Sequence, residues 1–180
     1  GAAVAGVAAI GCPQILPARV LGAAGGPGAN ERLTLGHIGV GGMGGSHLDY
    51  MVHRMTRGDV NIAAVCDVDE KRLAKALETA GKQATPYRDY RQLLQRKDID
   101  AVVIATPDHW HALIAIAAAR AGKDIYCEKP LCQSIHEARA MVNAVRKYKR
   151  VFQTGSMQRS MAEFRRACEL VRNGKIGNLT

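Results

Sequence analysis

Aromatic side chains are scarce in this sequence, at 4% of 180 residues. So few rings cannot furnish the core of an aromatic-rich β-sandwich. Nor do they interleave with the basic residues, as a base-stacking platform for nucleic acid requires. The five cysteines (Cys12, Cys66, Cys127, Cys132 and Cys168) make no CxxC pair and no zinc-ligand spacing. They read as small buried hydrophobes, and no metal site is expected. The N-terminal apolar run "GAAVAGVAAIG" has eleven residues, whereas a bilayer span takes about twenty; no stable membrane span is expected.

What is present is alanine, glycine and positive charge. Hydrophobic content is 47%, much of it Ala, which suits helices packed closely on a sheet. The net charge of +9 is compatible with an anionic cofactor, a nucleic acid or an acidic partner domain. Its densest tract, "RKYKR" at Arg146–Arg150, closes an amphipathic pattern where cations meet the negative end of a helix. A solvated helix face accounts for it, and no nucleic-acid partner is expected.

From Leu33 onward short apolar runs alternate with helical patterns. The strand readings are "LTLGHIGVG", "NIAAVCDVD", "ATPYR", "IDAVVIATP", "DIYCE" and "RVFQTG". Between them lie helices such as "SHLDYMVHRMT", "EKRLAKALETAG", "DYRQLLQRKD" with Asp89 as cap, "HWHALIAIAAARAG", and "SIHEARAMVNAVRKY" opened by Ser134. One more amphipathic helix covers residues 160–173, and "KIGNLT" is expected to start a further strand. Strands alternating with helices predict an α/β fold, a doubly wound parallel sheet with right-handed crossovers. The expected organisation is a truncated export-signal-like leader at 1–30, a dinucleotide-binding domain at 31–156, and the start of a second α/β domain at 157–180. The chain begins with Gly1 and stops soon after "GK", so it reads as a piece of a longer protein.

Three loops carry the chemistry. In "GVGGMG", Gly39, Gly41 and Gly44 match GxGxxG, with Gly42 and Met43 between them. The motif follows a predicted strand, opens a helix and precedes Asp67 at the end of the next strand. In that context Gly39 permits the turn, Gly41 admits a pyrophosphate to the backbone, and Gly44 lets helix and strand approach. Asp67 can accept from the ribose hydroxyls, and its charge opposes a 2′-phosphate, favouring NAD over NADP. A glycine turn with a capping Asp is the plainer alternative.

The second loop is "ATPDHWHA" at Ala105–Ala112, beyond the fourth strand, where ligands of open parallel sheets bind. Thr106 and Pro107 would pass the cofactor, with His109 and His111 at the mouth; Trp110 can equally be core. The third is "IYCEKPLC" at Ile125–Cys132. Lys129 there can share the proton of a substrate hydroxyl, and Glu128 can position that amine or touch the cofactor. A surface ion pair in a turn is the competing reading.

Taken in order, "GVGGMG", "CDVDEKR", "ATPDHWHA" and "EKPLCQSIHEA" resemble the nucleotide-binding half of the Gfo/Idh/MocA oxidoreductases. The resemblance implies that Lys129 is the active-site lysine and that Thr106, Pro107 and His111 belong to a TPxxxH loop. It implies further that a missing C-terminal domain binds a sugar or polyol, supplies an Asp and a His to the lysine, and mediates homo-oligomers. Gln158 and Arg159, in the segment entering that domain, would border the substrate, although Met157 stands where a polar residue is expected. The leader resembles that of exported, periplasmic members, some using the twin-arginine route; a cytoplasmic location is the alternative. Three functions are open: hydride transfer between nicotinamide and a sugar or polyol, an NAD-dependent glycosidase working through transient oxidation, and a noncatalytic dinucleotide-binding module.

Overall fold

A computed structural model describes Gly28 and residues 31–177. The expected leader falls almost wholly outside the described residues. Among the described residues six strands and six α-helices follow one another: β1 (Leu33–Ile38), α1 (Gly42–Thr56), β2 (Val60–Cys66), α2 (Glu70–Ala80), β3 (Thr85–Tyr87), α3 (Tyr90–Leu94), β4 (Ala101–Ile104), α4 (Asp108–Arg120), β5 (Asp124–Glu128), α5 (Ile135–Lys147), β6 (Phe152–Gly155) and, after a 3₁₀ turn at Met157–Ser160, α6 (Ala162–Arg172). All strand pairs are parallel, in the order β3-β2-β1-β4-β5-β6.

That order positions the site. The chain leaves β1 towards β2 and β3, then returns to place β4 on the other side of β1. The loops after β1 and β4 therefore diverge, and a crevice opens at the strand C-termini.

Both faces of the sheet are covered around this point. Leu48 of α1 and Leu73, Ala76 and Ala80 of α2 pack with Ile62 and Val65 on one face. Leu93 of α3, Ala112, Ile114, Ala115, Ala118 and Ala119 of α4, and Met141 and Ala144 of α5 pack with Ile38, Val102, Ile104 and Cys127 on the other. Each fully buried Ile, Leu or Val contributes about 1.5–3 kcal/mol relative to exposure. Alanines on α4 let that helix lie close to the strands, as the composition suggests.

Helix α1 starts at Gly42, four residues before the expected Ser46, because the glycine turn itself winds into the first helical turn. Strand β1 ends at Ile38, where Gly39 takes φ 82°. Lys175 and Ile176 lie in a turn, not in the strand expected from "KIGNLT", and the last three residues lie outside the described residues. Helix α6 buries no residue, and Phe164 remains 48% exposed. Cys168 on it is exposed, contrary to its reading as core. Cys66 and Cys127 are buried, and burial pushes both thiols up to about 12. Among the described residues no helix is long and apolar enough to cross a membrane.

Candidate dinucleotide-binding and active site

The first wall of the crevice is built of backbone. Gly39 donates to the Cys66 carbonyl at 2.8 Å and passes so close to the end of β4 that a Cβ on it would lie 2.7 Å from Ala105 C and Thr106 N. A Cβ on Gly44 would run into the Gly39 carbonyl oxygen. The turn and the first turn of α1 thus occupy each other's side-chain space, which is why glycine stands at both positions.

The Asp67 carboxylate holds this turn in place. Its Oδ2 accepts from Val40 N at 2.9 Å and its Oδ1 from Asp69 N at 3.0 Å. Asp67 is buried yet lines the crevice. It therefore fixes the loop and also presents a negative charge to whatever lies there.

Helix starts differ in how they are capped. Asp69, Asp89 and Ser134 cap α2, α3 and α5 through their side chains. The N-caps of α1 and α4 are Gly41 and Pro107, and neither makes a side-chain cap; α6, away from the crevice, also begins without one, at Met161. Both α1 and α4 open on the crevice. At α4 the Asp108 carboxylate takes the His109 N–H at 2.8 Å, so the start of α1, at Gly42 and Met43, is the one suited to an anion. The crevice encloses about 830 Å³ and is lined by Gly39, Gly41, Gly42, Met43, Asp67, Thr106 and Pro107, all expected from the motifs. It is also lined by Val68, Arg72, Arg88, Tyr90, Arg91 and Trp110, which the motifs did not indicate. Trp110 is 40% exposed rather than core. The buried Thr106 hydroxyl has no partner among the described residues.

The second wall is held by side chains gripping carbonyls. His111, 1% exposed, does not line the crevice; it sits beneath it, with Nδ1 2.7 Å from the Pro130 carbonyl and Nε2 2.8 Å from the Thr106 carbonyl. One side chain thereby ties the loop after β4 to the loop after β5. A neutral imidazole donates through one nitrogen only, so its tautomer decides which of the two carbonyls accepts the N–H. His109 is exposed beside Asp108, so the two histidines of "HWH" point to different environments. Among the described residues no group of three His, Cys, Asp or Glu gathers as a metal site.

Glu128 is buried at the end of β5, facing α1. Its Oε1 accepts from His47 Nε2 at 2.7 Å and from the Tyr126 hydroxyl at 3.3 Å. Its Oε2 accepts from the backbone N–H of Lys129 at 3.1 Å. The Lys129 side chain is exposed, and its peptide bond to Pro130 is cis. Glu128 therefore positions the lysine through the main chain. Gly155 of β6 lies against it, where a Cβ would come within 2.6 Å of Oε1. His47 lies 81 residues from Glu128, and no local spacing announces the pair.

A second depression of about 810 Å³, lined by residues of α3 and α4, Arg120 among them, and by Arg96 and Lys97 after α3, contains none of the three loops.

A parallel sheet with a glycine turn at its switch point, an acidic residue following β2 and the uncapped start of α1 at the crevice defines a dinucleotide-binding Rossmann domain. Residues 33–156 match the family GFO_IDH_MocA, described as an oxidoreductase family with an NAD-binding Rossmann fold. The chain belongs to this family. It is 33% identical over 146 residues to inositol 2-dehydrogenase of Salmonella typhimurium, covering 81% of this chain and 43% of that protein. It is also 33% identical over 158 residues to glycosyl hydrolase family 109 protein 1 of Shewanella sp. ANA-3, covering 83% and 34%. Among solved structures, scyllo-inositol dehydrogenase from Lactobacillus casei with bound NAD(H) and scyllo-inositol aligns with TM-score 0.72 and 28% identity, covering 83% of this chain and 43% of that one. The chain thus spans less than half the length of these relatives.

Proposed function

We propose that this chain is the nucleotide-binding half of an NAD-dependent oxidoreductase whose substrate is a cyclic polyol or sugar. The observation that carries the reading is the joining of the two loops by His111. That tie brings Lys129 to the same edge of the sheet as the glycine turn, the Thr106–Pro107 loop and Asp67. The residues fit the dinucleotide. Gly41, Gly42 and Met43 with the start of α1 would hold the pyrophosphate. Asp67 would accept from the adenosine ribose, and the unpartnered Thr106 hydroxyl is available to the cofactor. Bound NAD supplies the hydride acceptor. Lys129 takes up or shares the proton of the substrate hydroxyl, and Glu128 fixes the backbone from which that lysine extends.

The inositol dehydrogenase relatives support a polyol substrate. The remaining half of such a protein would cover α6 and close the site from the other side, and homo-oligomer formation through it is part of the same proposal. An export leader at residues 1–30, directing the protein to the periplasm, is likewise proposed. A second reading, an NAD-dependent glycosidase, is favoured by the family 109 hydrolase among the relatives at equal identity.

One experiment separates these readings. The full-length protein is incubated with NAD and either myo-inositol or an aryl glycoside. NADH accumulation supports the dehydrogenase, and aglycone release without net NADH supports the glycosidase. Saturable NAD binding with neither leaves a binding module. In whichever reaction proceeds, Lys129→Ala is expected to abolish turnover while NAD affinity stays within a few fold; near-normal turnover would remove Lys129 from its role. NAD is expected to bind more tightly than NADP, by roughly ten- to a hundredfold, since a 2′-phosphate beside Asp67 meets a like charge. A titration showing the reverse would overturn that assignment.

A further inference from the structure

We infer that His47 of α1 is the positioning residue for Lys129, acting through Glu128; the inference rests on the oxidoreductase reading above, in which that lysine handles the substrate proton. Three groups donate to the Glu128 carboxylate. Two are local: the Tyr126 hydroxyl, two residues back on the same strand, at 3.3 Å, and the N–H of Lys129, the next residue on, at 3.1 Å. The third is His47 Nε2 at 2.7 Å, and its bond is the shortest. Among the described residues it is the one donor that reaches Glu128 from another element. The contact is enclosed, with the His47 side chain 13% and the Glu128 side chain 6% exposed, so water competes little for it. The imidazole is also oriented, because the Tyr126 ring meets it edge-on with centroids 5.1 Å apart. With Gly155 of β6 backing Oε1, the carboxylate is held between α1 and the last strand of the sheet.

The consequence lies in what else α1 carries. Met43, in its first turn, lines the crevice at the pyrophosphate cradle. Met43 and His47 are four residues apart and so share one face of the helix, about 6 Å from each other along its axis. On the other flank of Lys129, the Pro130 carbonyl is tied to His111 of α4, the second helix that opens on the crevice. The residues before and after Lys129 are thus each anchored to a helix that borders the cofactor, and the lysine extends from the residue between them. One turn of α1 sets the separation between the cradle and the imidazole, and the imidazole sets Glu128. Loss of His47 frees Glu128 and with it the main chain at Lys129. A displacement of about 1 Å in a group that handles the reacting proton is enough to cost about a hundredfold in rate.

The test uses the full-length protein with NAD and whichever of myo-inositol and the aryl glycoside is turned over. His47→Leu removes the donor. His47→Asn keeps polarity without the reach, and His47→Gln returns an amide N–H to nearly the position of Nε2. In His47→Leu and His47→Asn, kcat and kcat/KM are expected to fall together by about ten- to a hundredfold while NAD affinity by calorimetry stays within about threefold. His47→Gln should recover most of the rate. Adding His47→Leu to Glu128→Ala should cost little more than Glu128→Ala alone, because both changes undo one contact. The inference is overturned if a folded His47→Leu or His47→Asn keeps the wild-type kcat, if the loss falls on NAD affinity instead, or if His47→Gln is no better than His47→Asn. Lys129→Ala in the same assay keeps the failures apart. A near-normal rate there sinks the role of the lysine and the reading beneath this inference. A lost rate there, with kcat unchanged in the His47 variants, overturns the inference alone.

Discussion

The two walls of the crevice are held by different means. On the β1–β2 side the backbone itself makes the shape: Gly39 and Gly44 exclude side chains from each other's space, and Asp67 fastens the turn through the Val40 N–H while bracing its own loop through the Asp69 N–H. On the β4–β5 side the loops are free in themselves and are bound by imidazole and carboxylate groups lying beneath them, His111 under one pair of carbonyls and Glu128 under Lys129. Backbone packing gives a fixed cradle for an invariant pyrophosphate. Side-chain ties give a wall whose geometry depends on a few removable groups, which suits the side proposed to carry the catalytic lysine.

The sharpest test of the first wall is a single methyl group. Gly44→Ala drives a Cβ into the Gly39 carbonyl, and neither partner can swing away because both are main chain. NAD binding by calorimetry is expected to fall more than about a hundredfold, a loss of roughly 3 kcal/mol or more. Gly42→Ala is the control: a Cβ there meets nothing within 4 Å, and only the φ of 43° resists it. That strain costs about 1–2 kcal/mol. Equal losses for the two variants would show that glycine is needed for its conformation and not for the close approach.

The corresponding test of the second wall is His111→Leu, which keeps bulk in the core and removes both ties. The part-buried Thr106 and Pro130 carbonyls lose their imidazole partner, at about 1–3 kcal/mol in all. The thermal midpoint should fall by roughly 5–15 °C, and NAD affinity should change much less than in Gly44→Ala. In the full-length protein turnover should drop as well, because Pro130 no longer anchors the loop carrying Lys129. If NAD affinity fell as far as in Gly44→Ala, the two walls would be one cooperative unit and the distinction would fail.

The same difference explains what could be read beforehand. Glycine at Gly39 and Gly44 is a demand made on residue identity at those positions, so the turn, the strand before it and Asp67 are all visible in the chain. The parallel sheet follows from β-branched runs alternating with helices. His111 is visible as part of "TPDHWHA", but its role is not: its partners are main-chain carbonyls 5 and 19 residues away, and any residue has a carbonyl. The His47–Glu128 contact spans 81 residues and depends on α1 crossing to the face of β5. Arg72, Arg88 and Trp110 were unremarkable in sequence because long cations ordinarily lie in solvent and tryptophan ordinarily packs in a core. Only the strand order brings them to one crevice.

The smallest expected effect concerns the sheet beside the second wall. His37 of β1 is 1% exposed, and neither ring nitrogen has a partner among the described residues. Burial first, and then the neighbouring His47, pull its pKa from 6.5 down to about 4. Between those two values the unfolded chain binds a proton that the folded chain refuses, so stability falls as pH falls from 6.5 towards 4 and the effect is absent above that window. The slope approaches about 1.4 kcal/mol per pH unit within it. Denaturant unfolding of the wild type and His37→Leu at pH 7.5, 6.0 and 5.0 measures the difference. The variant should match or exceed the wild type at pH 7.5, because it leaves no buried nitrogen unpaired. Its advantage should then grow by about 0.5–1 kcal/mol at pH 6.0 and about 2 kcal/mol at pH 5.0. Parallel curves would mean that His37 finds a proton acceptor in the folded protein, and the sheet beside the lysine wall would then be a second tied element rather than an apolar support.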